Sequence, residues 1–469
     1  MDDDIIAFTP AIELASLMRE KRISPVEVMR ATLDRIERFN PRINAFAHLA
    51  SEAAMVEARA AEAALIKGRP LGRLHGLPVT IKDLAITKDM PTQFGSNIFK
   101  GNQPAEDSVF VRRLRAAGAI VTGKTTTSEF GWTGVSHSPL TGITHNPWQH
   151  GMNAGASSAG AGAAAAAGFG ALHQGSDGAG SVRMPSHFCG VFGLKPTYGR
   201  IPYYPVGGGD NTSHIGPMTR SVADSALMME VMVGPSALDY STLESWGADY
   251  TGRLMEGVKG KRIAFSPDLD LARVDPDVAE LVKRAAHRFS ELGAHVEQVA
   301  TPWAKEGPEL IRATWPAHLS RLIPRLAEWE SRMDPGLVAC IRAGEGVTMT
   351  DYQLVRERKY AYCSRQLAWL EEYDFLLTPA ASVAAFPAER LMPHHWPEHE
   401  WDWVSWAEFS YPFNFSGAPA ASVPCGFTPE GLPVGLQIVG KRFDDLGVLQ
   451  AAAAYEAIAP WAAKRPPLS

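Results

Sequence analysis

The chain has 469 residues, 45% of them apolar and 20% charged, the balance of an ordinary soluble globular protein, which excludes disordered and collagen-like architectures. Lys and Arg total 45 against 51 Asp and Glu, a formal charge of −6 with no long run of one sign, so nucleic acid or an anionic membrane is not an expected partner. Cys189, Cys340, Cys363 and Cys425 lie far apart with no C-x-x-C pair, which suggests neither a zinc site nor a disulfide framework and fits a reducing compartment. The start, Met1-Asp2-Asp3-Asp4, is acidic where a secretory signal is basic, and no apolar run reaches the roughly 18 residues of a membrane span, so the expected location is cytoplasmic.

In chain order, Thr9-Pro10 before Ile12, Leu14, Leu17 and Met18 predicts a capped amphipathic helix with Pro at its first position. Ser24-Pro25-Val26-Glu27 repeats the cue: Ser24 can cap, Glu27 follows three residues on, and Val28, Leu33 and Ile36 supply the apolar spacing. Asn40-Pro41 is expected to stop that helix, and an Ala/Glu-rich helix should cover about 51–66. After Gly68 short β-branched runs alternate with helices. Leu77–Ile81 reads as a strand, Ser108–Ala117 as a helix ending at Gly118, and Ala119–Thr122 as the next strand, an alternation that argues for a mixed or parallel sheet between helices.

From 151 to 180 Gly and Ala dominate. Ala is the best helix former and Phe169 and Leu172 flank the segment, so a helix is expected there and not a linker. Lys261–Phe265, a helix over about 276–292, and Ala294–Val299 form a further strand, helix, strand unit. Nine of the 12 tryptophans lie beyond residue 300, with Trp396, Trp401, Trp403 and Trp406 close together. Core and lid packing is the plain reading of these, and the wall of an aryl pocket the sharper one.

Common hydrolase signatures are missing. There is no G-x-S-x-G elbow and no G-x-x-x-x-G-K-[ST] loop, and His399-Glu400 fails as a zinc-helix motif because Trp403 stands where the second His is needed. His394, His395 and His399 read as solvated loop histidines in preference to a metal site. What remains is a lysine and two serines among small residues. Lys82 ends an apolar strand that would carry it inside, where desolvation lowers an amine's pKa and lets it accept a proton; the alternative is a plain pairing with Asp83. In Gly155-Ala156-Ser157-Ser158-Ala159-Gly160 either serine could instead cap the Ala-rich helix. Gly175–Arg183 (G-S-D-G-A-G-S-V-R) follows a short strand, and its small residues let successive N–H groups converge as an oxyanion hole requires. A serine nucleophile needs a base, and no histidine is an obvious partner here.

At these segments the chain resembles the amidase signature family. The similar stretches are Gly76–Asp83, Val121–Phe130 (V-T-G-K-T-T-T-S-E-F), Asn146–Gly160, Gly175–Arg200, Gly216–Asp224 (G-P-M-T-R-S-V-A-D) and Phe413–Gly440, most of the chain except 225–410. The resemblance implies one large α/β/α domain over 67–469, with a central mixed β-sheet covered by helices, a substrate-shaping region at 225–410, and an N-terminal helical segment, 1–66, packed outside. It also implies a Ser–cisSer–Lys triad: Ser181 as nucleophile, Ser157 as the bridging serine preceded by a cis peptide bond, and Lys82 as base. A cis bond at Ala156–Ser157 would cost about 3 kcal/mol.

The implied chemistry is acyl transfer without metal or organic cofactor. Lys82 draws a proton through Ser157 as Ser181 attacks the carbonyl, and the N–H groups of Gly178, Ala179, Gly180 and Ser181 hold the oxyanion. Ser158, Asp177 and Arg183 are expected to order the loops, and Gly131 and Trp132 to line the acyl channel. The chain departs from the family with G-A-S-S-A-G for G-G-S-S-G-G and G-S-D-G-A-G-S for G-T-D-x-G-G-S, small-for-small changes that leave the triad intact. Met184, where the A-type chains of tRNA-dependent amidotransferases tend to carry a polar residue, favours a less polar substrate. The expectation is hydrolysis of an aryl or small apolar carboxamide, an anilide or carbamate included, with a small-molecule amide and water as partners and a homodimer as one option of assembly. The alternatives are an amidotransferase A-type glutaminase chain, an esterase or urethanase on the same site, or a non-catalytic binding protein.

Overall fold

The computed structural model describes residues 2–206, 211–244 and 247–468. Its strands are β1 (Phe46–Leu49), β2 (Pro78–Lys82), β3 (Ile120–Thr125), β4 (His137–Ser138), β5 (Gly142–Ile143), β6 (Leu172–Asp177), β7 (Phe192–Lys195), β8 (His214–Thr219), β9 (Arg262–Phe265), β10 (His295–Gln298), β11 (Phe375–Pro379), β12 (Ala420–Phe427) and β13 (Pro433–Gly440). Eleven of these form one sheet in the order β1-β3-β2-β6-β8-β7-β12-β13-β11-β9-β10, while β4 and β5 pair apart. The sheet is mixed: β2 runs parallel to β3 and β6, and β9 to β10 and β11, whereas the other pairs are antiparallel. Helices cover it, as expected of an α/β/α domain, and among the described residues no helix is long and apolar enough to cross a membrane.

The N-terminal helices form largely where capping and apolar spacing place them. Ser24 and Glu27 close the reciprocal capping box of the helix Pro25–Ile43, and a helix spans Ser51–Ile66. Pro41 does not stop the first of these. It sits in the last turn, and the helix ends three residues later at Asn44, left-handed at φ 58°, whose N–H reaches Asn40 O while the Asn40 side chain accepts from Ala45 N–H. Pro10 lies just outside Ala11–Arg19, and an additional short helix, Asp3–Phe8, precedes it. The segment is also not purely helical: β1 adds an edge strand antiparallel to β3.

The Gly/Ala-rich stretch forms the helix Ala159–Ala167, every residue buried. Small side chains there let other elements approach closely. At Gly155, φ +112°, a Cβ would stand 2.3 Å from Pro185 Cα, so the bend that leads into this helix admits only glycine. The central sheet thus has β2 and β6 side by side and parallel, with the Ala-rich helix starting beside their C-terminal ends, where open α/β sheets bind ligands.

Candidate active site

Lys82 is the last residue of β2, a strand paired on both edges and buried along its length. Its side chain is fully buried, and Nζ lies 2.7 Å from Ser157 Oγ, 2.9 Å from Ser158 Oγ and 3.0 Å from Ser176 Oγ. Burial pushes the amine well below its ordinary value near 10.5, and the charge of Asp177 only partly opposes this. Pairing with Asp83 is not what happens: that carboxylate accepts N–H groups from Gln93 and Gly95 and lies 3.8 Å from Lys124 Nζ. Ser176, on β6, is a third hydroxyl around the amine that reading the motif missed. No local spacing ties it to Lys82; the parallel pairing of β2 with β6 brings the two together.

The Ser157 backbone N–H donates to Ser181 Oγ at 3.2 Å. The cis bond expected at Ala156–Ser157 is not there; among the described residues the cis bond is Tyr204–Pro205. With the trans peptide that a non-proline bond ordinarily favours, Ser157 turns its main chain toward Ser181 and its hydroxyl toward Lys82. Ser157 therefore touches both partners, but no hydrogen bond joins the two hydroxyls. Ser158 occupies the N-cap position of the Ala-rich helix without capping it; its hydroxyl donates to Ser176 O instead.

Asp177 and Arg183 are both fully buried and bind each other through two contacts, Nε to Oδ2 and Nη2 to Oδ1, each 2.9 Å. Burial works against ionisation of Asp177, yet Arg183 outweighs it, aided by Asn414, and holds the carboxyl well below its ordinary range. Asp177 also accepts the N–H groups of Gly180, Val182 and Arg183. The N–H of Gly180 is thereby occupied. Those of Gly178, Ala179 and Ser181 donate to no acceptor among the described residues, which leaves three of the four expected oxyanion donors unengaged. Arg183 reaches on to Ser410 O, Gln437 Oε1 and Asn414 Oδ1, tying the loop to the chain's last third.

A cavity of about 110 Å³ opens beside this group, and Ser157, Ser176, Gly178, Leu84, Phe130, Gly131 and Trp132 are among its lining residues. Ser181 is 4% exposed and is not among the lining residues. Gly131 and Trp132 line this cavity; Phe130, Tyr203 and Trp315 are lining residues that sequence reading did not single out. Most of the late tryptophans pack. Trp403 is buried and donates its indole N–H to Trp132 O at 2.6 Å, and Trp315, edge-on to Trp403, donates to the same carbonyl at 3.0 Å. Only Trp315 of the residues beyond 300 gives the cavity an indole wall.

Two histidines come near this group: His318 lines the cavity, and His214 Nδ1 lies 3.3 Å from Asp177 O. His173 bonds Thr80 and is pushed down to about 3 by burial, and His399 Nδ1 accepts the N–H groups of Trp401 and Asp402. His394 and His395 gather with Asp275, their ligand atoms within 4.8 Å of one another, and His394 and Asp275 line a different cavity.

Three comparisons bear on this arrangement. Over 477 aligned positions the chain is 38% identical to an acylamidase of Rhodococcus erythropolis, covering 99% of this chain and 98% of that one. It is 33% identical to the A-type chain of a glutamyl-tRNA(Gln) amidotransferase from Moorella thermoacetica, over 98% of this chain and 99% of the other. Among solved structures, a bacterial aryl acylamidase superposes with a TM-score of 0.90 at 29% identity, covering 97% of both chains. The sequence profile of the Amidase family matches residues 27–449, and with these relatives along nearly its whole length the chain belongs to that family.

Proposed function

We propose that this protein hydrolyses a linear carboxamide C–N bond through an acyl-enzyme on Ser181, with Lys82 as the base and Ser157 between them. The observation that carries the reading is a fully buried amine held by three serine hydroxyls, with no carboxylate in contact among the described residues. Such an amine is neutral over much more of the pH range than an exposed lysine, and a neutral amine accepts a proton.

As Ser181 Oγ bonds to the carbonyl carbon, its proton passes to Ser157 Oγ and that of Ser157 to Lys82 Nζ, while the carbonyl π pair moves onto oxygen. The unengaged N–H groups of Gly178, Ala179 and Ser181 support stabilisation of that oxyanion. Collapse re-forms the carbonyl, breaks the C–N bond, and returns the proton along the same path to the leaving nitrogen; water then repeats the sequence on the ester. The relay asks the Ser157 hydroxyl to reach Ser181 Oγ, and the 3.2 Å contact already holds the two residues together. Asp177 and Arg183, committed to each other, fix the loop geometry.

Similarity to an acylamidase and an aryl acylamidase supports an amide as the substrate, and the presence of Phe130, Trp132 and Trp315 in the cavity lining supports an aryl group on it. The test is turnover of an anilide panel, read by released aniline, in the wild-type protein and in Ser181→Ala. Release that persists in the variant contradicts the proposal. The 33% identity to the A-type chain of an amidotransferase supports a second reading, in which glutamine is the amide and partner chains are required. Ammonia released from glutamine only after partner chains are added would favour it.

A further inference from the structure

We infer that Arg321 anchors the substrate's far end and that the cavity takes amides carrying a carboxylate remote from the scissile bond. This rests on the amide-hydrolase reading of the same cavity.

Arg321 lies just past the helix Gly307–Leu319 and lines the cavity that Ser157 and Gly178 also line. It meets no carboxylate and makes no hydrogen bond among the described residues, whereas Arg312, Arg342, Arg358 and Arg365 of the same region each lie within 4.0 Å of one. An unpaired surface arginine is ordinary. Arg325 is another, but it does not line the cavity. Arg321 is exposed, yet the protein around it is dense enough for desolvation to lower its pKa, and the one group that offsets this is the Tyr203 phenol. The guanidinium nevertheless stays charged near neutrality.

The neighbouring groups suit an anion. Tyr203 also lines the cavity, as does Ser213, and neither hydroxyl has a hydrogen-bond partner among the described residues. Among the described residues no Asp or Glu lines the cavity, and the nearby acid Asp177 is already bound to Arg183. Thr212 and His318 add polar lining, and Leu84, Phe130, Trp132, Trp315 and Leu319 make up the apolar lining. A guanidinium and two unpartnered hydroxyls in a cavity that is otherwise largely apolar and shared with Ser157 and Ser176 match a molecule with an apolar body and a carboxylate. The carboxylate could belong to the acyl part or to the amine part of the amide, and two matched pairs separate these.

The experiment uses the full chain as wild type, Ser181→Ala, Arg321→Gln and Ser181→Ala/Arg321→Gln. Ligands are glutaranilic acid against its methyl ester for the acyl side, and 4-acetamidobenzoate against its methyl ester for the amine side. Calorimetry on Ser181→Ala reads affinity without turnover. The expected result is that one acid binds at least about tenfold more tightly than its ester twin, and that this preference collapses toward one when Arg321→Gln is added. In turnover, the acid-to-ester ratio of kcat/KM should fall likewise in Arg321→Gln, through KM and not kcat, with Arg321→Lys intermediate. Equal affinity for acid and ester in both pairs, or a preference that survives Arg321→Gln, overturns the inference. Binding with the expected preference but no release of amine by the wild-type protein sinks the hydrolase reading and leaves the anion site standing.

Discussion

Replacing Asp177 by Asn tests whether the loop that carries Ser181 is held by a single buried ion pair. In the native protein one carboxylate oxygen receives Gly180 N–H, Arg183 Nη2 and Asn414 Nδ2, and the other receives Val182 N–H, Arg183 N–H and Arg183 Nε, all away from solvent. An amide keeps one acceptor and turns an NH2 toward the donors on its other side. Arg183 then keeps one bond to the amide oxygen besides Ser410 O, Gln437 Oε1 and Asn414 Oδ1, and its buried charge loses its anionic partner. Removing one partner of such a pair costs about 3–5 kcal/mol, a large part of the roughly 5–15 kcal/mol that holds a typical domain folded.

The pH sign follows from the same contacts. Because the folded-state pKa of Asp177 is depressed, its contribution is fully present above the ordinary value of about 3.8 and is lost only as pH falls through the lower folded value. Urea melts followed by circular dichroism at pH 7 should therefore show Asp177→Asn less stable by several kcal/mol, with activity lost along with the fixed position of Gly180. A loss below about 1 kcal/mol, or a variant with normal turnover, would refute the reasoning.

Lys82→Met should lower kcat/KM by roughly 10²- to 10⁴-fold while leaving the urea midpoint near the native value, because the apolar chain relieves the desolvation of the amine. In the wild-type protein, activity should fall as pH drops through the depressed pKa of Lys82, since protonation removes the base; stopped assays across pH 5–10 read this limb. Gly131→Ala places a Cβ 3.0 Å from Leu84 Cδ1 and 3.3 Å from Ser157 Oγ at φ +72°, which should cost about 1–2 kcal/mol of stability and reduce kcat/KM, both measurable on one preparation. Glu408, buried and pushed up to about 8 from 4.5, keeps its proton in the folded state to higher pH than in the unfolded one. Its contribution is thus full below about 4.5 and is lost as pH rises through about 8, at about 1.4 kcal/mol per pH unit between, and Glu408→Gln should remove that slope from urea melts taken at pH 5 and pH 9.

What the sequence made legible was local. The capping box at Ser24, the buried lysine at the end of β2, and the small-residue helix after Ser158 are each written in a few adjacent residues, and each formed. Pro41 misled because a proline's missing N–H is weighed against the whole turn, and Asn40 with Asn44 supplied an ending three residues further on. At the site, Lys82, Ser157 and Ser181 could be named from their motifs, but the third hydroxyl on Lys82, the use of Gly180 N–H by Asp177, and the trans peptide before Ser157 depend on how β6 and the helix Arg183–Cys189 pack. The cavity was the least legible part. Tyr203, Trp315 and Arg321 meet across more than a hundred residues of chain, and no local spacing encodes that meeting.

The most direct measurement is intact-protein and peptide mass spectrometry of the enzyme quenched in acid during turnover of an activated anilide. The account predicts one acyl group on the peptide containing Ser181, formed at a rate that falls in Lys82→Met and Ser157→Ala and absent in Ser181→Ala. An acyl group found on another residue, or formed at the native rate in Lys82→Met, would contradict it.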